Sequence, residues 1–227
     1  MARGRATTYD DQRNLILQRA AELFARSGYV ATSMNQVAEA CGFSKPTLYH
    51  YFRDKDALLS SICDEHVLRL HAMASEVLAE PLPPAAKLRE LITRILEEYA
   101  DAQHAHRVLT EDVRFLGAAD QARILGRERE VVAAFAQVVA AIRPDLHAAA
   151  LDKPLTMLLF GMINWMFTWV RPGGALDHDA LAPMVADLFL GGLPALAAAH
   201  PADIHPAAAT AAPASIPSAP ATKKVTP

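Results

Sequence analysis

Two short helices separated by a glycine turn constrain this chain more than any other feature of its sequence. In the stretch "TSMNQVAEACGFSKPTLYHYF", residues 32–52, Ser33 can cap one helix, and Gln36 can return a hydrogen bond to that cap. A glycine ends this helix, and Ser44 can cap the next one. Pro46 is tolerated in the first turn, because an N–H at that position has no partner within the helix. Two helices joined in this way predict a helix-turn-helix.

The second helix of the pair has one inward face and an unusually polar and aromatic outward face. Leu48 and Phe52 are spaced i, i+4 and predict contacts with Val37 and Phe24. The outward residues and the next helix start offer hydroxyl, imidazole and ammonium groups: Ser44, Lys45, Pro46, Thr47, Tyr49, His50, Tyr51 and Lys55. The N-terminal ones suit base edges in a major groove, and the others suit phosphates. The pattern predicts a DNA interface, and the alternative is a surface that packs on another protein.

Apolar residues recur at helical spacing along nearly the whole chain, whereas strand patterns are scarce. The sequence therefore predicts an all-α fold: an N-terminal three-helix helix-turn-helix head and a C-terminal helical body. About nine helices are expected, at residues 10–26, 33–41, 45–52, 56–79, 85–103, 104–116, 119–142, 152–171 and 178–197. The long helix that leaves the head is expected to act as a lever between body and head.

Charge and composition divide the chain into four regions. Its 227 residues, 52% of them hydrophobic, suffice for one large or two small domains with a real core. We expect a flexible basic arm over 1–9 with Arg3 and Arg5, a helix-turn-helix DNA-binding domain over 10–55 and a helical body over 56–199. Residues 200–227 hold six prolines and nine alanines, a composition that predicts a disordered tail.

The remaining composition argues for a cytoplasmic protein. Cys41 and Cys63 are too few for a disulfide framework and fall in apolar helical positions, so we expect reduced core thiols. The segment "PLTMLLFGMINWMFTWV", residues 154–170, is barely long enough to span a bilayer and contains Asn164. A helix that is apolar all round predicts burial, so no membrane association is expected.

From residue 16 to 59 the sequence "ILQRAAELFARSGYVATSMNQVAEACGFSKPTLYHYFRDKDALL" resembles the N-terminal domain of the TetR family of transcriptional regulators. The resemblance implies a homodimer whose third helices enter the major groove of double-stranded palindromic operator DNA, usually to repress transcription. Lys45, Pro46 and Thr47 match base-contacting positions. Positions that hold phosphates match Tyr49, His50, Tyr51 and Lys55, and the start of the preceding helix, which often touches the backbone, matches Ser33, Asn35 and Gln36. The resemblance also implies that the body over 56–199 is a ligand-binding and dimerisation domain, whose last two helices form a four-helix bundle with their twofold mates. The apolar face expected in that bundle comprises Leu181, Met184, Val185, Leu188, Phe189 and Leu193.

Residues 158–193, "LLFGMINWMFTWVRPGGALDHDALAPMVADLFLGGL", are similar to regulators of fatty-acid, phenylacetate or steroid-ring catabolism, several of which release DNA on binding acyl-CoA thioesters. The similarity implies a small-molecule effector and no other cofactor. An acyl-CoA needs an apolar slot and cations for its phosphates. The candidates are Met157, Phe160, Asn164 and Trp165 for the slot, and Arg107, Arg114, Arg123, Arg127 and Arg171 for the cations. The alternative for the apolar residues is core or dimer interface.

Two other functions, a drug-responsive repressor and an enzyme, are alternatives to an acyl-CoA-responsive regulator. A drug-responsive repressor of an efflux pump would use an acidic pocket, for which Glu97, Glu98, Asp101, Glu111 and Asp112 are available. An enzyme is not expected, because no phosphate-binding glycine loop, nucleophile elbow or HExxH motif occurs. His104 and His106 are two residues apart and diverge on a helix, so no metal site is expected.

Overall fold

The computed structural model describes residues 8–170 and 176–196, and in that part of the chain it is built from helices and short connections. The α-helices are α1 (Tyr9–Ser27), α2 (Met34–Cys41), α3 (Lys45–Tyr51), α4 (Lys55–Ala79), α5 (Pro84–Asp101), α6 (Gln103–Asp112), α7 (Ala118–Ile142), α8 (Pro144–Ala148), α9 (Asp152–Asn164) and α10 (His178–Gly192). Short 3-10 turns occupy Val113–Phe115, Met166–Thr168 and Leu193–Ala195. The all-α prediction is confirmed. Residues 1–7 of the predicted basic arm, Arg171 and the tail lie outside the described residues, whereas Thr8 caps α1 and Tyr9 begins it.

The helix ends of the N-terminal part follow the local signals in the sequence. Ser33 and Gln36 form the predicted capping box at the start of α2, and α2 ends at Gly42 in the left-handed conformation, with φ of 69°. The Ser44 side chain accepts a hydrogen bond from the backbone N–H of Thr47 at the start of α3. Helix α4 begins after Asp54, whose carboxylate accepts from the N–H of Ala57 at 2.7 Å. Three consecutive helices are thus fixed by caps visible in the sequence.

Three features of the body differ from the sequence prediction. Helix α9 ends at Asn164 and α6 at Asp112, and each continues as a 3-10 turn where one α-helix was expected. The short helix α8 was not predicted, because Pro144 reads as punctuation, yet it occupies the first turn of α8, where its missing N–H costs no helical hydrogen bond. The count of ten α-helices within the described residues therefore exceeds the expected nine by this one element.

Two hydrophobic cores divide the molecule, and the division does not fall at residue 55. The head core is formed by α1, α2, α3 and the first half of α4, together with Val108 and Leu109 of α6, Leu116, and Ile124 of α7. The body core begins at Leu70 of α4 and includes residues of α5, α7, α9 and α10. Helices α4 and α7 each contribute to both cores. The head is therefore packed into the body through α6 rather than attached by α4 alone.

The last two helices expose much of their apolar surface in the single chain. The predicted burial of residues 154–170 is wrong on one side, where Met157, Leu158, Met162, Trp165 and Trp169 are exposed. On α10 the expected bundle face splits: Leu181, Val185, Phe189 and Leu193 belong to the body core, whereas Met184 and Leu188 are exposed. Helical periodicity alone gave no means to separate the side that meets this chain from the side that does not. Within the described residues, no helix is long and apolar enough to cross a membrane.

Candidate nucleic-acid interface and effector region

Helix α3 is held in place by its two inward residues. Leu48 and Phe52 are buried in the head core with Val37 and Phe24, as their i, i+4 spacing predicted. The guanidinium of Arg13 lies over the Phe52 ring, 5.4 Å from its centroid. Burial of these residues leaves the N-terminal turn and one side of α3 at the surface.

The exposed N-terminal turn of α3 presents a compact set of polar groups. Ser44, Lys45 and Pro46 are exposed, and the hydroxyls of Ser44 and Thr47 lie 2.7 Å apart in a hydrogen bond. The Lys45 ammonium lies 5.9 Å from the centroid of the Tyr49 ring. Two hydroxyls, one ammonium and one phenol on a protruding turn can donate to base edges or phosphate oxygens.

Of the three consecutive aromatic residues, only Tyr49 and His50 face outward. The expectation that Tyr51 also does is wrong: it is half-buried, its ring stacks on Tyr9 with centroids 4.6 Å apart, and its hydroxyl donates to Gln12 Oε1. The first turn of α1 lies over this side of α3 and takes the hydroxyl. Tyr51 thus joins α3 to α1.

Lys55 also has a different environment from the one expected of a phosphate contact. Its ammonium donates to the backbone oxygens of Tyr29, Val30 and Thr32 at 2.8, 3.2 and 2.9 Å. An ammonium has three N–H donors, so these three acceptors match its full capacity. The structure places the Lys55 ammonium against the backbone of the turn between α1 and α2, where the side chain is half-buried.

The start of α2 remains at the surface. Ser33, Asn35 and Gln36 are exposed, and Gln36 Oε1 accepts from the Ser33 N–H at 2.8 Å and from the Ser33 hydroxyl at 2.9 Å. The capping box occupies the two side chains with each other, whereas Asn35 projects outward beside them. Contact of these residues with a DNA backbone stays a prediction.

The structure does not place the candidate arginines of α7 next to the candidate residues of the apolar slot. Arg123 and Arg127 of α7 both pair with Asp64 of α4, and Arg123 also pairs with Asp120 at 2.7 Å. Along α7, Arg123 lies about 18 Å from Phe135, which contacts Phe160 of α9. These two guanidinium groups therefore tie α7 to α4 near the head.

The other two arginines within the described residues are also engaged locally. The Arg107 guanidinium bonds Glu111 at 3.1 Å, one helical turn further along α6, and that of Arg114 lies 5.0 Å from the centroid of the Phe115 ring. Both side chains are at the surface. The four candidate arginines within the described residues therefore do not converge on one place in this conformation, and a phosphate-binding role for any of them stays a prediction.

The four candidate slot residues divide between two sides of the last helical region. Phe160 is buried against Phe135, with ring centroids 4.9 Å apart, and Asn164 accepts a hydrogen bond from the Tyr99 hydroxyl at 2.9 Å. Met157 and Trp165 lie on the exposed side and cannot line the same interior space. Of the predicted slot, Phe160 and Asn164 remain as inward groups.

A buried histidine pair, not predicted from the sequence, lies where the two cores meet. His66 of α4 and His106 of α6 approach with Nε2 and Nδ1 at 3.3 Å, and the His106 ring stacks on Tyr99 at 3.6 Å between centroids. Arg69 Nη2 lies 3.5 Å from His66 Nδ1. Because a guanidinium only donates, His66 Nδ1 accepts, and its Nε2–H donates to His106. His104 and His106 diverge as predicted, but the partner of His106 is 40 residues earlier in the chain.

Burial controls the charge of this polar layer. It holds the pKa of His66 well below its ordinary value and lowers the pKa of His106 to about 3, so both rings are neutral at pH 7. Burial also raises the pKa of Glu128 of α7 to about 7, and that of Asp112 at the end of α6 to about 6. We call His66, Tyr99, His106 and Glu128 the polar layer. The layer consists of three buried, neutral rings that can donate and accept hydrogen bonds, and of one half-buried carboxyl group that is incompletely ionised at pH 7.

Comparison with known proteins accounts for most of the chain. Residues 16–62 match the family model of bacterial regulatory proteins of the tetR family, and residues 81–193 match that of the tetracyclin repressor-like C-terminal domain. The transcriptional repressor KstR2 of Rhodococcus jostii is 26% identical over 188 residues, which cover 80% of this chain and 91% of KstR2. The two family models together, and the alignment with KstR2, therefore extend over both the head and the body.

Solved structures share the fold over the same extent. The crystal structure of a TetR-family transcriptional regulator from Bordetella parapertussis is 36% identical, with a TM-score of 0.78, and covers 83% of this chain and 99% of that one. The structure of AibR in complex with isovaleryl coenzyme A and operator DNA has a TM-score of 0.68 at 21% identity, covering 78% and 97% of the two chains. At that lower identity the likeness is one of fold.

Proposed function

The chain belongs to the TetR family of transcriptional regulators, and from that premise we propose that it is a homodimeric repressor of palindromic operators, released by an acyl-CoA thioester. DNA binding and regulation of transcription follow from the family. The observation that carries the proposal for the site is the exposed turn of α3, with Lys45 and Thr47 outward and Leu48 buried beneath them. The relative KstR2, which is named a repressor, supports repression over activation.

The proposed DNA surface is smaller than the sequence suggested. It consists of the α3 residues Ser44, Lys45, Pro46, Thr47, Tyr49 and His50, flanked by Ser33, Asn35 and Gln36 at the start of α2. Lys45, Pro46 and Thr47 would read bases from the N-terminal turn of α3, and Tyr49 and His50 would hold phosphates. Tyr51 and Lys55 are not proposed as contacts, since their polar groups bond other parts of the protein.

Alanine substitution in α3 tests this surface. We expect Thr47→Ala and Tyr49→Ala to weaken binding to an operator selected from random DNA by the wild-type protein, while dimer mass and melting temperature stay unchanged. Gln137→Ala, an exposed position on α7, is the matched control. Wild-type binding should also weaken steeply with salt, because phosphate contacts release counterions. Unchanged electrophoretic shifts for both α3 variants would place the DNA surface elsewhere.

The proposal of a homodimer rests on the apolar side of α9 and α10. Leu158 and Leu188 are 65% and 69% exposed, and Met157, Met162, Trp165, Trp169 and Met184 are exposed on the same two helical segments. Contiguous apolar surface of this kind is typical of a protein interface. Two helices from each subunit would form the four-helix bundle that the family resemblance implies, and a twofold axis would match a palindromic operator.

An acyl-CoA effector is supported by sequence similarity over residues 158–193 and by two inward groups of the body. Phe160 offers an apolar wall, and Asn164 with Tyr99 offers a polar anchor beneath it. The CoA phosphates would need cations, and Arg123 and Arg127 hold Asp64 in this conformation. Binding would therefore require these guanidinium groups to exchange a carboxylate for phosphate, which would loosen α7 from α4.

A cationic drug-like effector is the second candidate, because one half-buried carboxyl group favours it. Glu128 carries a carboxyl group whose pKa is raised to about 7 by burial, close to the Tyr99 ring system. A cationic ligand would favour its ionised form and so gain binding energy. Of the acids first considered for this role, Glu98 and Glu111 instead pair with Arg69 and Arg107.

A ligand panel separates the two effectors. The protein would be freed of bound ligand, and its melting temperature would be measured after addition of each compound. The compounds are isovaleryl-CoA, longer and cyclic acyl-CoAs, free CoA, and a quaternary ammonium such as benzalkonium. A rise in melting temperature with a thioester but not with free CoA, together with release of operator DNA, is the expected result. A response to benzalkonium alone, lost in Glu128→Gln, would replace the acyl-CoA proposal with the cationic one.

A further inference from the structure

The turn between α1 and α2 is held from two sides by aromatic and charged groups. Tyr29 is buried in this turn, packs edge-on against Phe24 at 5.2 Å, and donates its hydroxyl hydrogen to Asp56 at the start of α4. Its other face stacks on Phe115, with centroids 5.5 Å apart and ring planes 27° apart. Phe115 ends the 3-10 turn that follows α6. A body residue therefore packs directly on the residue that precedes the helix-turn-helix.

Lys55 completes this cluster from the start of α4. Its ammonium lies 4.3 Å from the centroid of the Tyr29 ring and donates to the carbonyls of Tyr29, Val30 and Thr32. Thr32 immediately precedes the N-cap Ser33 of α2. The position of α2, and of α3 packed on it, is thus tied to α4 through one side chain.

Close contact at this point contrasts with the other end of the seam between α1 and α6. There, an open cleft of about 330 Å³ is lined by Glu22, Ala25, Arg26, His104 and Arg107. Near Phe115, in contrast, Leu116 and Val108 enter the head core beside Tyr29. The end of α6 and the 3-10 turn after it therefore pack on the head at Tyr29, beside this open part of the seam.

We propose that Tyr29, Lys55 and Phe115 form an anchor that sets the head relative to the body, and that Lys55 serves operator binding as a positioning residue and not as a phosphate ligand. The proposal rests on the proposed function, since it concerns how the head is held while it binds DNA. The anchor gives the body a non-covalent hold on the head beside the covalent path through α4. In a dimer it fixes the separation of the two α3 helices, and hence the preferred spacing of half-sites.

The salt dependence of operator binding distinguishes a positioning lysine from a phosphate ligand. Lys55→Met would be compared with Lys45→Met, its exposed counterpart on α3, using fluorescence anisotropy on the selected operator from 50 to 300 mM salt. We expect Lys55→Met to bind more weakly at every salt concentration with the wild-type slope, because no phosphate contact is lost. Lys45→Met should reduce the slope by about one.

Lys55→Arg supplies the second variant, in case Lys55→Met unfolds. A guanidinium binds phosphate at least as well as an ammonium does, but its planar fork does not match three converging carbonyls. We expect Lys55→Arg to retain the wild-type salt slope and yet bind operator more weakly than wild type. A slope reduced by about one in folded Lys55→Met, or full wild-type affinity in Lys55→Arg, would overturn the inference.

Phe115 is tested by the spacing of the half-sites. Phe115→Ala should weaken operator binding by about two- to tenfold, the range of an aromatic pair. It should also reduce the ratio of the affinity for the wild-type operator to the affinity for operators lengthened or shortened by one base pair. Phe115→Tyr should restore both. Equal spacing preference in wild type and Phe115→Ala would show that Phe115 does not set the head. Failure of the wild-type protein to select any operator would instead contradict the proposed function.

Discussion

The exposed side of α3 and the exposed side of α9 and α10 are opposite in chemistry although each covers one hydrophobic core. Around α3 the apolar residues turn inward, and the surface offers hydroxyls, an ammonium and an imidazole. On α9 and α10 the core is covered as well, yet Leu158 and Leu188 remain mostly exposed. The first surface suits a polyanion whose phosphates and base edges form polar contacts, and the second suits a partner that is itself apolar. The two surfaces therefore assign different partners to the two ends of the molecule.

The largest expected effect comes from a charge on the apolar surface. Leu188→Asp would bury two uncompensated carboxylates in a twofold interface, each costing about 3–5 kcal/mol, so the dimer should dissociate at micromolar concentration. Operator binding should fall with it, although α3 is unaltered. Sedimentation equilibrium measures the assembly. Leu68→Asp, an exposed apolar position on α4, is the control and should remain dimeric. A wild-type protein that sediments as a monomer would contradict this use of the surface.

The second effect concerns the two cores. Leu48→Ala leaves a cavity at a fully buried position of the head core and should lower the free energy of unfolding by about 2–5 kcal/mol. Both tryptophans, Trp165 and Trp169, lie on the exposed side of the body, so their fluorescence reports unfolding of the body and not of the head. Because α4 and α7 are shared by both cores, we expect fluorescence and circular dichroism to shift together in urea.

Ile95→Ala, at an equivalent buried position of the body core, is the matched comparison. The head unfolds as a separate unit if Leu48→Ala lowers the urea midpoint measured by circular dichroism but not the one measured by fluorescence, while Ile95→Ala lowers both midpoints. That outcome would favour a domain boundary near residue 55, as the sequence suggested, over the packing division inside α4.

What the sequence predicted well was determined by neighbours in the chain. The capping box of Ser33 and Gln36 and the inward pair Leu48 and Phe52 need only residues three or four positions apart, so the helix-turn-helix could be derived without the structure. The Lys55 environment could not, because its carbonyl acceptors lie 23 to 26 residues earlier. At the start of a helix, the sequence does not distinguish a lysine that points to solvent from one that bonds the backbone of another segment.

The body was harder to predict for the same physical reason. His66 and His106 meet only because α4 and α6 cross, and Asp64 collects Arg123 and Arg127 from another helix. Apolar periodicity in α9 predicted contact on every side, but it does not tell whether the contact comes from this chain or from a second copy. The sequence therefore predicts which residues of α3 are exposed, whereas the contacts of the candidate effector residues depend on how the helices pack. Binding of DNA or of an effector by either set stays a prediction.

A moderate effect with a pH signature is expected from the polar layer. Burial raises the folded-state pKa of Glu128 to about 7, above the ordinary glutamate value of 4.5, so the folded protein binds this proton more tightly than the unfolded chain does. Its contribution to stability is present below pH 4.5 and is lost as the pH rises through 7. Glu128→Gln removes that loss and should stabilise by about 1–2 kcal/mol at pH 8, after allowance for partial exposure, and by little at pH 4.5.

Urea denaturation at the two pH values measures the difference. Glu130→Gln, an exposed acid on the same helix, should change stability equally little at both. If Glu128→Gln destabilises at pH 8, the carboxylate is compensated by a partner in the folded state, and the case for a cationic effector at Glu128 weakens with it.

The smallest expected effect separates packing from DNA contact within one helix. Tyr51→Phe keeps the ring that stacks on Tyr9 and removes only the hydroxyl that bonds Gln12, so stability should fall by about 0.5–1.5 kcal/mol. Operator affinity and its salt slope should hardly change, because that hydroxyl points into α1. Tyr49→Phe, on the exposed side of α3, should do the reverse: stability stays constant and operator affinity falls. If Tyr51→Phe instead weakens DNA binding without loss of stability, the hydroxyl leaves Gln12 for a phosphate when DNA binds, and the surface around α3 extends to α1.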